Sequence, residues 1–349
     1  MKKIVIVVFS LLFILGIIFI FRKTERPIIP AAPDNYKGVN THLSREGVDT
    51  DYVLKKAQEA GTHWIRDDVF SWINIDGGKN QYHWEIPDKF VAETSGFKIL
   101  GILGTIPSWY NGRTDKDWRC GDPLSWWYMP DNPNGFGDYV YQTVDRYKKV
   151  NAWEIWNEPN LYAFNPPLPN SQKYTNLLKV AYKNVKTANP NALVVAGALG
   201  ITQTQQLKIN AWCGSYIQSD ISAEEFLEQM YQAGAKNYFD ILSVHLVDQF
   251  SSLERLHQIM LKNGDDKPIW VTEIEYTTCE TCLTYPQQSQ KLQEALITLK
   301  KYDFIEKVFY YMLYDEGAGD DPNLYAGLLE SRARNYREKP SFQIFKDFK

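Results

Sequence analysis

The sequence predicts an α/β fold, a (β/α)8 TIM barrel in which eight parallel strands close into a ring inside a layer of helices. Eight short apolar runs alternate with amphipathic helical stretches between residues 36 and 349, and eight such units are typical of this barrel. A doubly wound open sheet is the structural alternative, but its glycine-rich fingerprint is absent. Since no stretch remains for a sizeable second domain, we predict a single barrel domain.

The predicted strands are short apolar runs of the length expected for buried parallel strands. They are YKGVNTHL (36–43), HWIRDDVF (63–70), FKILGIL (97–103), VNAWEIWN (150–157), ALVVAGAL (192–199), FDILSVHL (239–246), PIWVTEIE (268–275) and KVFYYMLY (307–314).

The stretches between these runs carry apolar residues near i, i+3 and i+4, which indicates helices with one buried face. They are TDYVLKKAQEAG, FGDYVYQTVDRYKK, TNLLKVAYKNVKTAN, SAEEFLEQMYQAG, LERLHQIMLKNG and QQSQKLQEALITLKKY.

The N-terminus is predicted to lie outside the barrel. An apolar run from Ile4 to Phe21 is followed by Arg22 and Lys23, and as a helix it would span roughly 27 Å, close to a bilayer core of about 30 Å. Because no small-residue cleavage site ends the run, residues 1–23 favour an uncleaved signal anchor over a cleaved signal peptide. Residues 24–35 form a Pro-rich spacer. We therefore expect a protein anchored in the cell membrane and facing outside, or a secreted one.

Composition excludes several classes of function. The net charge is −4 and there is no long basic run, so nucleic-acid binding is not expected. There is no phosphate-binding glycine loop, and the five histidines form no HxxxH or HExxH pair. The sequence therefore predicts neither a metal nor an organic cofactor.

Four cysteines are present, and an exported chain with an even number of cysteines permits two disulfides. Cys279 and Cys282 have CxxC spacing, whereas a zinc site would need a second such pair. By elimination, the other pair would be Cys120 and Cys213.

Aromatic residues make up 14% of the chain, and many stand beside Asn, Asp, Gly or Pro, as in loops. The connection after the third predicted strand, residues 104–134, holds six of them. A loop this long is usually functional or disordered, and its aromatic content argues against disorder. These side chains either form a surface that stacks on a flat, apolar-faced ligand or pack the loop onto the barrel.

Two of the predicted strands end in carboxylates, at the end of the barrel where active residues of this fold lie. WEIWNEPN places Glu158 at the mouth and Glu154 one layer below on the same face. VTEIEY places Glu273 at the end of the seventh strand, with Glu275 as the rival. Arg66 stands near the end of the second strand.

Two carboxylates that face one cavity from different strands are what glycoside hydrolysis needs, one protonated and one ionised. Arg66 would hold Glu273 ionised by its positive charge. The alternative for Arg66 is a buried pair with Glu154 or Asp68. Glu154 itself is expected to support the structure, because a carboxylate at that depth is retained only when it is paired or hydrogen-bonded.

These motifs resemble those of the clan A retaining glycoside hydrolases. The W-N-E-P motif ends the fourth strand, the T-E motif ends the seventh, and an arginine lies on the second. GVNTHL, DILSVH and YYMLYDEG…LYAGLL extend the resemblance over residues 36–349. The pattern is most similar to family 39, with family 5 the nearest competitor.

The resemblance implies a role for each matching residue. Glu158 would be the general acid/base and Glu273 the nucleophile, with carboxyl groups about 5–5.5 Å apart as in retaining enzymes. Asn157 would hydrogen-bond the sugar 2-hydroxyl, Arg66 would orient Glu273, and His245 would line the −1 subsite. Among the loop aromatics, Trp109 and Trp126 are the preferred sugar platforms.

The sequence departs from the family pattern at two positions. Val247 stands where many members carry a tyrosine that touches the nucleophile, and the usual tryptophan of the eighth strand is replaced by tyrosines. Tyr276 or Tyr311 would have to substitute for the missing tyrosine. Asp315 and Glu316 near the mouth are further candidates for substrate contact.

The sequence thus predicts a retaining, monomeric glycoside hydrolase that acts on a polysaccharide or oligosaccharide. Long family 39 exoglycosidases carry an additional β-sandwich, for which this chain has no length, so endo action is expected. Two alternatives remain: a non-catalytic cell-surface barrel that binds carbohydrate, and a transglycosidase that uses the same residues.

Overall fold

Eight parallel strands close into a barrel in the computed structural model, which describes residues 35–113, 124–201, 206–208, 217–317 and 322–349. Each strand pairs with its neighbours in chain order, and β8 closes the ring on β1. This order confirms the predicted (β/α)8 barrel. The strands are β1 (Lys37–Asn40), β2 (Trp64–Asp67), β3 (Lys98–Leu103), β4 (Ala152–Asn157), β5 (Leu193–Ile201), β6 (Leu242–Leu246), β7 (Ile269–Ile274) and β8 (Ile305–Tyr310).

All eight predicted strands are present, but the predicted eighth strand, residues 307–314, extends too far. β8 ends at Tyr310, and the chain continues beside the end of β1. The backbone N–H of Leu313 donates to the carbonyl of Asn40, and Tyr314 forms an isolated bridge with Leu329. The apolar character of this segment reflects the burial of Met312, Leu313 and Tyr314 beyond the strand end.

The helices lie between the strands in regular alternation, with two extra short helices after β2 and β3. They are α1 (Thr50–Glu59), α2 (Trp72–Ile75), α3 (Glu85–Glu93), α4 (Ser108–Asn111), α5 (Asn134–Arg146), α6 (Ser171–Ala188), α7 (Ala223–Gln232), α8 (Ser251–Lys262), α9 (Tyr285–Leu299) and α10 (Pro340–Asp347). Short 3-10 helices cover Ser125–Trp127, Tyr162–Phe164, Pro322–Tyr325 and Arg332–Arg334. A two-stranded antiparallel ribbon pairs Gln206–Lys208 with Ile217–Ser219.

Four helices have no counterpart among the predicted stretches: the two short helices α2 and α4, and the longer α3 and α10. Pro87 lies in the first turn of α3, where its missing N–H group breaks no helical hydrogen bond. α10 begins with Pro340 and has only eight residues. In both cases proline opens the helix, although the same residue weakens a helical pattern in the sequence.

Large aromatic side chains seal the N-terminal end of the barrel. The rings of Trp64 and Trp270 meet edge to face at 5.1 Å, and Phe309 packs against both. Gly38 on β1 makes this packing possible, because a Cβ there would lie 2.3 Å from the Phe309 ring. The barrel interior is therefore filled at this end, where the buried Lys307 also lies over the rings of Trp64 and Trp270.

The cysteine and N-terminal predictions fall only partly within the described residues. Cys279 and Cys282 form a disulfide, whereas Cys120 and Cys213 lie outside these residues. The predicted anchor and nearly all of the spacer, residues 1–34, also lie outside them. Of the helices in the described ranges, none has the length and apolarity needed to cross a membrane.

Candidate active site

Arg66 is the central side chain of the polar layer at the mouth of the barrel. It lies on β2 with only 2% of its side chain exposed. Its Nε donates to Glu154 at 2.6 Å, and its Nη1 donates to Glu273 at 2.5 Å and to Asn40 at 2.7 Å. Arg66 therefore bonds at the same time to Glu154 on β4 and to Glu273 on β7, the two partners predicted for it on these strands.

Glu154 lies one layer below the mouth and is fully buried. Besides Arg66, it accepts hydrogen bonds from Ser243 at 2.7 Å and from Thr272 at 3.0 Å. These partners on β2, β6 and β7 compensate the cost of burying the charge. Glu154 thus ties four strands together, consistent with the structural role expected from its depth.

Asn40, the last residue of β1, belongs to the same layer. Its side-chain oxygen accepts from Arg66, and its amide group donates to the backbone carbonyl of Thr272 at 2.9 Å. The sequence analysis did not identify this residue. The available signal was a single polar residue at the end of an apolar run, at the position where Arg66 and Glu273 end their own strands.

Glu273 lies near the end of β7 with 21% of its side chain exposed. Burial alone would raise its pKa, but the protonated form of His245 and the guanidinium of Arg66 both lower it. Their combined effect prevails, so the pKa of Glu273 lies below its ordinary value. The carboxylate is therefore ionised at neutral pH.

Glu158 follows directly after β4, on backbone that few L-residues adopt. Its φ is 38° and that of Trp156 is 78°, in the left-handed region that disfavours side chains with a Cβ. Strained backbone of this kind persists where the surrounding packing fixes it, and it concentrates at functional sites. The strain turns the Glu158 side chain towards the mouth, where 17% of it is exposed.

His245 on β6 lies between the two carboxylates. Its Nδ1 is 3.1 Å from Oε1 of Glu158, and its Nε2 is 3.5 Å from Oε1 of Glu273. Nη2 of Arg66 lies 3.3 Å from the same Nε2. In the neutral ring, Nε2 accepts from the arginine, so Nδ1 carries the hydrogen and donates it to Glu158.

One imidazole thus brings together the two glutamates that the sequence paired across the barrel. The guanidinium distinguishes between them, because within the described residues it contacts Glu273 and not Glu158. Asn157, the neighbour of Glu158, also faces the guanidinium, with its Oδ1 3.4 Å from Nη2 of Arg66. The environments of the two carboxylates therefore differ, as an acid and a nucleophile require.

Gly200 and Asn160 position Glu158, and neither was identified from the sequence. A Cβ on Gly200 would lie 3.0 Å from Oε1 of Glu158 and 2.8 Å from the Leu161 side chain. Asn160 is fully buried and exchanges two hydrogen bonds with the backbone of Gly200, at 2.8 and 3.0 Å. Gly200 thus leaves room for the Glu158 side chain, and Asn160 holds β5 against the loop that carries Glu158.

Tyr311 is the tyrosine beside Glu273. Its pKa is raised, first by burial and then by the negative charge of Glu273. Tyr276 is the other tyrosine that the sequence offered for this place, but its hydroxyl donates to Asp248 at 2.8 Å. Tyr276 is therefore engaged on the outer side of β7.

His42 and Glu316 form a hydrogen-bonded pair next to Tyr311, whose ring meets His42 edge to face at 5.9 Å. Burial lowers the pKa of His42, but Glu316 and the nearby Asp68 raise it by more, so the net shift is upward. Asp315 behaves differently. It is buried and pairs with Lys339 at 2.7 Å, which makes it a structural residue.

The two tryptophans proposed as sugar platforms differ in exposure. Trp109 on α4 is 43% exposed. Trp126 is half-buried in a 3-10 helix, and its backbone carbonyl accepts from Ile106 at 2.9 Å. Its neighbour Trp127 packs edge-on against Phe164 at 4.9 Å. Trp109 therefore presents the larger ring surface to solvent.

A cleft lies at the mouth beside the two glutamates and His245. It is lined by Glu158, Ile201, His245, Leu246, Val247, Glu273 and Glu275. In the parts of the chain that the structure describes, no group of three His, Cys, Asp or Glu side chains is arranged to hold a metal ion. The cleft thus offers three carboxylates, an imidazole and a small apolar wall.

Comparison with known proteins identifies the family. The family described as glycosyl hydrolase catalytic core matches residues 108–336, which is well over half of the chain. The chain belongs to the glycosyl hydrolase catalytic core family. None of the curated proteins matches this glycosyl hydrolase.

Solved structures resemble this glycosyl hydrolase in fold. A family 39 glycoside hydrolase from the gut symbiont Bacteroides cellulosilyticus WH2 is 21% identical with a TM-score of 0.67, over 91% of this chain and 64% of that one. A family 39 β-xylosidase from Caulobacter crescentus is 17% identical with a TM-score of 0.68, over 92% and 72%. Xylanase 10B from Thermotoga maritima is 14% identical with a TM-score of 0.62, over 90% and 94%.

The chain thus spans less than two thirds of the Bacteroides enzyme that it matches. At these identities the likeness is one of fold. The resemblance to family 39 that the sequence motifs indicated is confirmed at that level, and the family 10 xylanase shares the same barrel.

Proposed function

We propose that this protein is a retaining glycoside hydrolase that cleaves its substrate by double displacement, with Glu273 as nucleophile and Glu158 as general acid/base. The observation that carries the proposal is that both carboxylates contact the His245 ring. Of the two glutamates, Arg66 bonds only Glu273. Two carboxylates on one cleft with unlike partners are what this chemistry requires.

In the first step, the ionised Glu273 attacks the anomeric carbon while Glu158 transfers its proton to the departing glycosidic oxygen. The C–O bond to the leaving group breaks, and an ester forms between the sugar and Glu273. In the second step, Glu158 removes a proton from water, which attacks the same carbon and releases Glu273. Each step inverts the anomeric carbon, so the overall result is retention.

The neighbouring side chains support these steps. Arg66 keeps Glu273 ionised before attack and stabilises it again as it leaves. In the neutral form of His245, Nδ1–H donates to Glu158 and orients the carboxyl towards the cleft. With its Oδ1 facing Arg66, Asn157 directs its amide N–H groups to the place where a sugar 2-hydroxyl would lie. Tyr311, the residue after β8, donates its backbone N–H to the carbonyl of Ile274, next to Glu273.

The proposed substrate is a polysaccharide that is cut within its chain. The exposed Trp109 at the mouth supports this, because a residue outside the cleft has a use only if the substrate extends beyond it. The proposed location is the outer face of the cell membrane, with residues 1–23 as the anchor. The disulfide between Cys279 and Cys282 is in keeping with an oxidising compartment outside the cytoplasm.

Trapping the covalent intermediate tests the proposal. The purified protein would be incubated with activated 2-deoxy-2-fluoro glycosides of several configurations and then digested for mass spectrometry. We expect a mass increase of one fluoro-sugar on the peptide that contains Glu273, and none in the Glu273→Gln variant. Labelling at Glu275 instead would refute the assignment of the nucleophile. Binding of polysaccharide without any release of reducing ends would favour a non-catalytic barrel.

A further inference from the structure

Trp109 is a large apolar side chain on the open end of the barrel, and 43% of it is exposed. It lies on α4, the short helix that follows β3. A single exposed apolar side chain is common, but an indole that is held in one orientation offers a flat face on which a ligand can stack. The contacts of Trp109 with its neighbours show whether the side chain is mobile or held in one orientation.

Asp76 holds the indole in place. Both of its carboxylate oxygens lie 3.0 Å from Nε1 of Trp109. Asp76 is itself fixed, because its Oδ1 also accepts from the backbone N–H of Gly78 at 2.9 Å and its backbone bridges Tyr82. A tight turn in the loop after β2 thus anchors a side chain from the loop after β3.

Aromatic rings support Trp109 from below. The buried Trp72 meets it edge to face at 5.9 Å, and Trp72 is stacked on Tyr139 at 5.0 Å with an interplanar angle of 3°. Tyr110 also meets Trp109 edge to face, at 5.8 Å. The hydroxyl of Tyr110 donates to the carbonyl of Asn132 and accepts from the N–H of Gly135. The indole is therefore a rigid surface with few rotamers left to lose on binding.

The position of this surface relates it to the cleft. Its two loops leave the barrel from the C-terminal ends of β2 and β3. β2 carries Arg66, and β4, which carries Glu158, pairs with β3. The indole and the two carboxylates therefore lie at the same end of the barrel, and the loop that carries the indole leaves the strand next to β4.

We propose that Trp109 is the platform of a distal glycan subsite and that Asp76 is its positioning residue. The ligand is a pyranose unit of the polysaccharide beyond those at the catalytic glutamates, with its C–H face stacked on the indole. This inference rests on the proposed function. It adds a direction to the substrate, which runs from the carboxylates over the β2–β3 side of the mouth.

Four variants test the subsite: Trp109→Ala, Asp76→Ala, Asp76→Asn and, as a matched control, Tyr52→Ala. Tyr52 is also an exposed aromatic, at 37%, but it lies on α1. Each is assayed on soluble xylan, mixed-linkage β-glucan and galactomannan, and on aryl monoglycosides. The short substrates report the catalytic centre, and the polymers report the centre and the platform together.

We expect Trp109→Ala to lower kcat/KM on the polymer by about tenfold, mainly through KM, which corresponds to the loss of one stacking contact. Activity on the aryl glycoside stays within about twofold. Asp76→Ala behaves in the same way, and Asp76→Asn, which keeps an acceptor oxygen, recovers most of the activity. Equal losses on both substrates would mean that Trp109 is only structural, and unchanged activity of Trp109→Ala on the polymer would also overturn the proposal.

Affinity electrophoresis separates this inference from the proposed function. The Glu273→Gln protein, with and without Trp109→Ala, is run in gels that contain the same three polysaccharides. Retardation that disappears with Trp109→Ala supports the platform even if no substrate is cleaved. If none of the gels retards the Glu273→Gln protein, or if Trp109→Ala migrates identically, the distal subsite is refuted.

Discussion

Nη1 of Arg66 lies 2.5 Å from Oε1 of Glu273, and this buried contact separates the two glutamates of the cleft chemically. The guanidinium is held in turn by Glu154 and Asn40, so it cannot turn away from the strand that carries Glu273. Burial raises the pKa of Glu273, but His245 and this fixed guanidinium together lower it by more. The side chains of this polar layer therefore keep Glu273 ionised.

Replacing Arg66 should shift the pH dependence of activity. Because the pKa of Glu273 is lowered in the folded protein, its ionised form persists as the pH falls and is lost only below the ordinary range. In Arg66→Lys the shorter, non-forked side chain weakens this effect, so the acidic limb of kcat/KM should move to higher pH. The measurement is a pH profile on an aryl glycoside.

Arg45→Lys is the matched control for this experiment, because Arg45 is half-exposed and pairs with Asp68 and Glu316 rather than with Glu273. Its acidic limb should coincide with that of the wild type. An unmoved acidic limb in Arg66→Lys would mean that Glu273 does not govern that limb.

The two catalytic glutamates should respond differently to the leaving group. Glu158→Ala is expected to lose about 10²–10⁴-fold on substrates with poor leaving groups, which need protonation, and little in the first step on dinitrophenyl glycosides. Glu273→Ala should lose activity on both substrates, because no glycosyl–enzyme ester can form. Steady-state and burst kinetics on the two substrates measure this difference. Retained activity in Glu273→Ala would exclude it as the nucleophile.

Gly200→Ala should impair the acid/base by steric displacement. The added methyl group would lie 3.0 Å from Oε1 of Glu158, so the carboxyl must move away from its place in the cleft. We expect a loss of about tenfold or more in kcat on poor leaving groups, since small misplacements of a catalytic group are costly. Gly104→Ala is the control, because its nearest neighbour would be at 3.7 Å. Equal kinetics of the two variants would show that Glu158 tolerates the methyl group.

Glu154→Ala should mainly lower stability. Removing Glu154 leaves Nε of Arg66 and the hydroxyl of Thr272 without this acceptor, and breaking a buried ion pair typically costs about 3–5 kcal/mol. Urea denaturation followed by fluorescence would measure the free energy of unfolding. A loss of activity with unchanged stability would contradict the structural role and point to chemistry at Glu154.

The strands and the meeting of Glu158 and Glu273 at one cleft were predictable from the sequence, because both depend on local signals. Apolar runs mark the strands, and Glu158 and Glu273 stand where two of those runs end. Gly200 and Asn160 were missed, because a glycine in an apolar run and an asparagine in a loop are common. Their role depends on a contact between residues 40 positions apart, which only the folded barrel brings together.

The network around Arg66 was predictable only in part. The proximity of Arg66 to Glu273 was predictable, because the C-terminal ends of parallel strands meet at one face of the barrel. That Arg66 also bonds Glu154 depends on how deeply the guanidinium lies in the barrel. The contact of the Tyr276 hydroxyl with Asp248 likewise depends on the direction of a side chain after a strand end. No periodicity in the sequence specifies such directions.

The closed floor formed by Trp64, Trp270 and Phe309 leaves the mouth as the route by which molecules reach Glu158 and Glu273. In the proposed double displacement, the water of the second step must then enter through the opening from which the leaving group departs. Any sugar hydroxyl that remains there competes with that water for the same glycosyl–enzyme ester. The ratio of hydrolysis to transfer onto an acceptor sugar therefore depends on how quickly the leaving group diffuses out of the mouth.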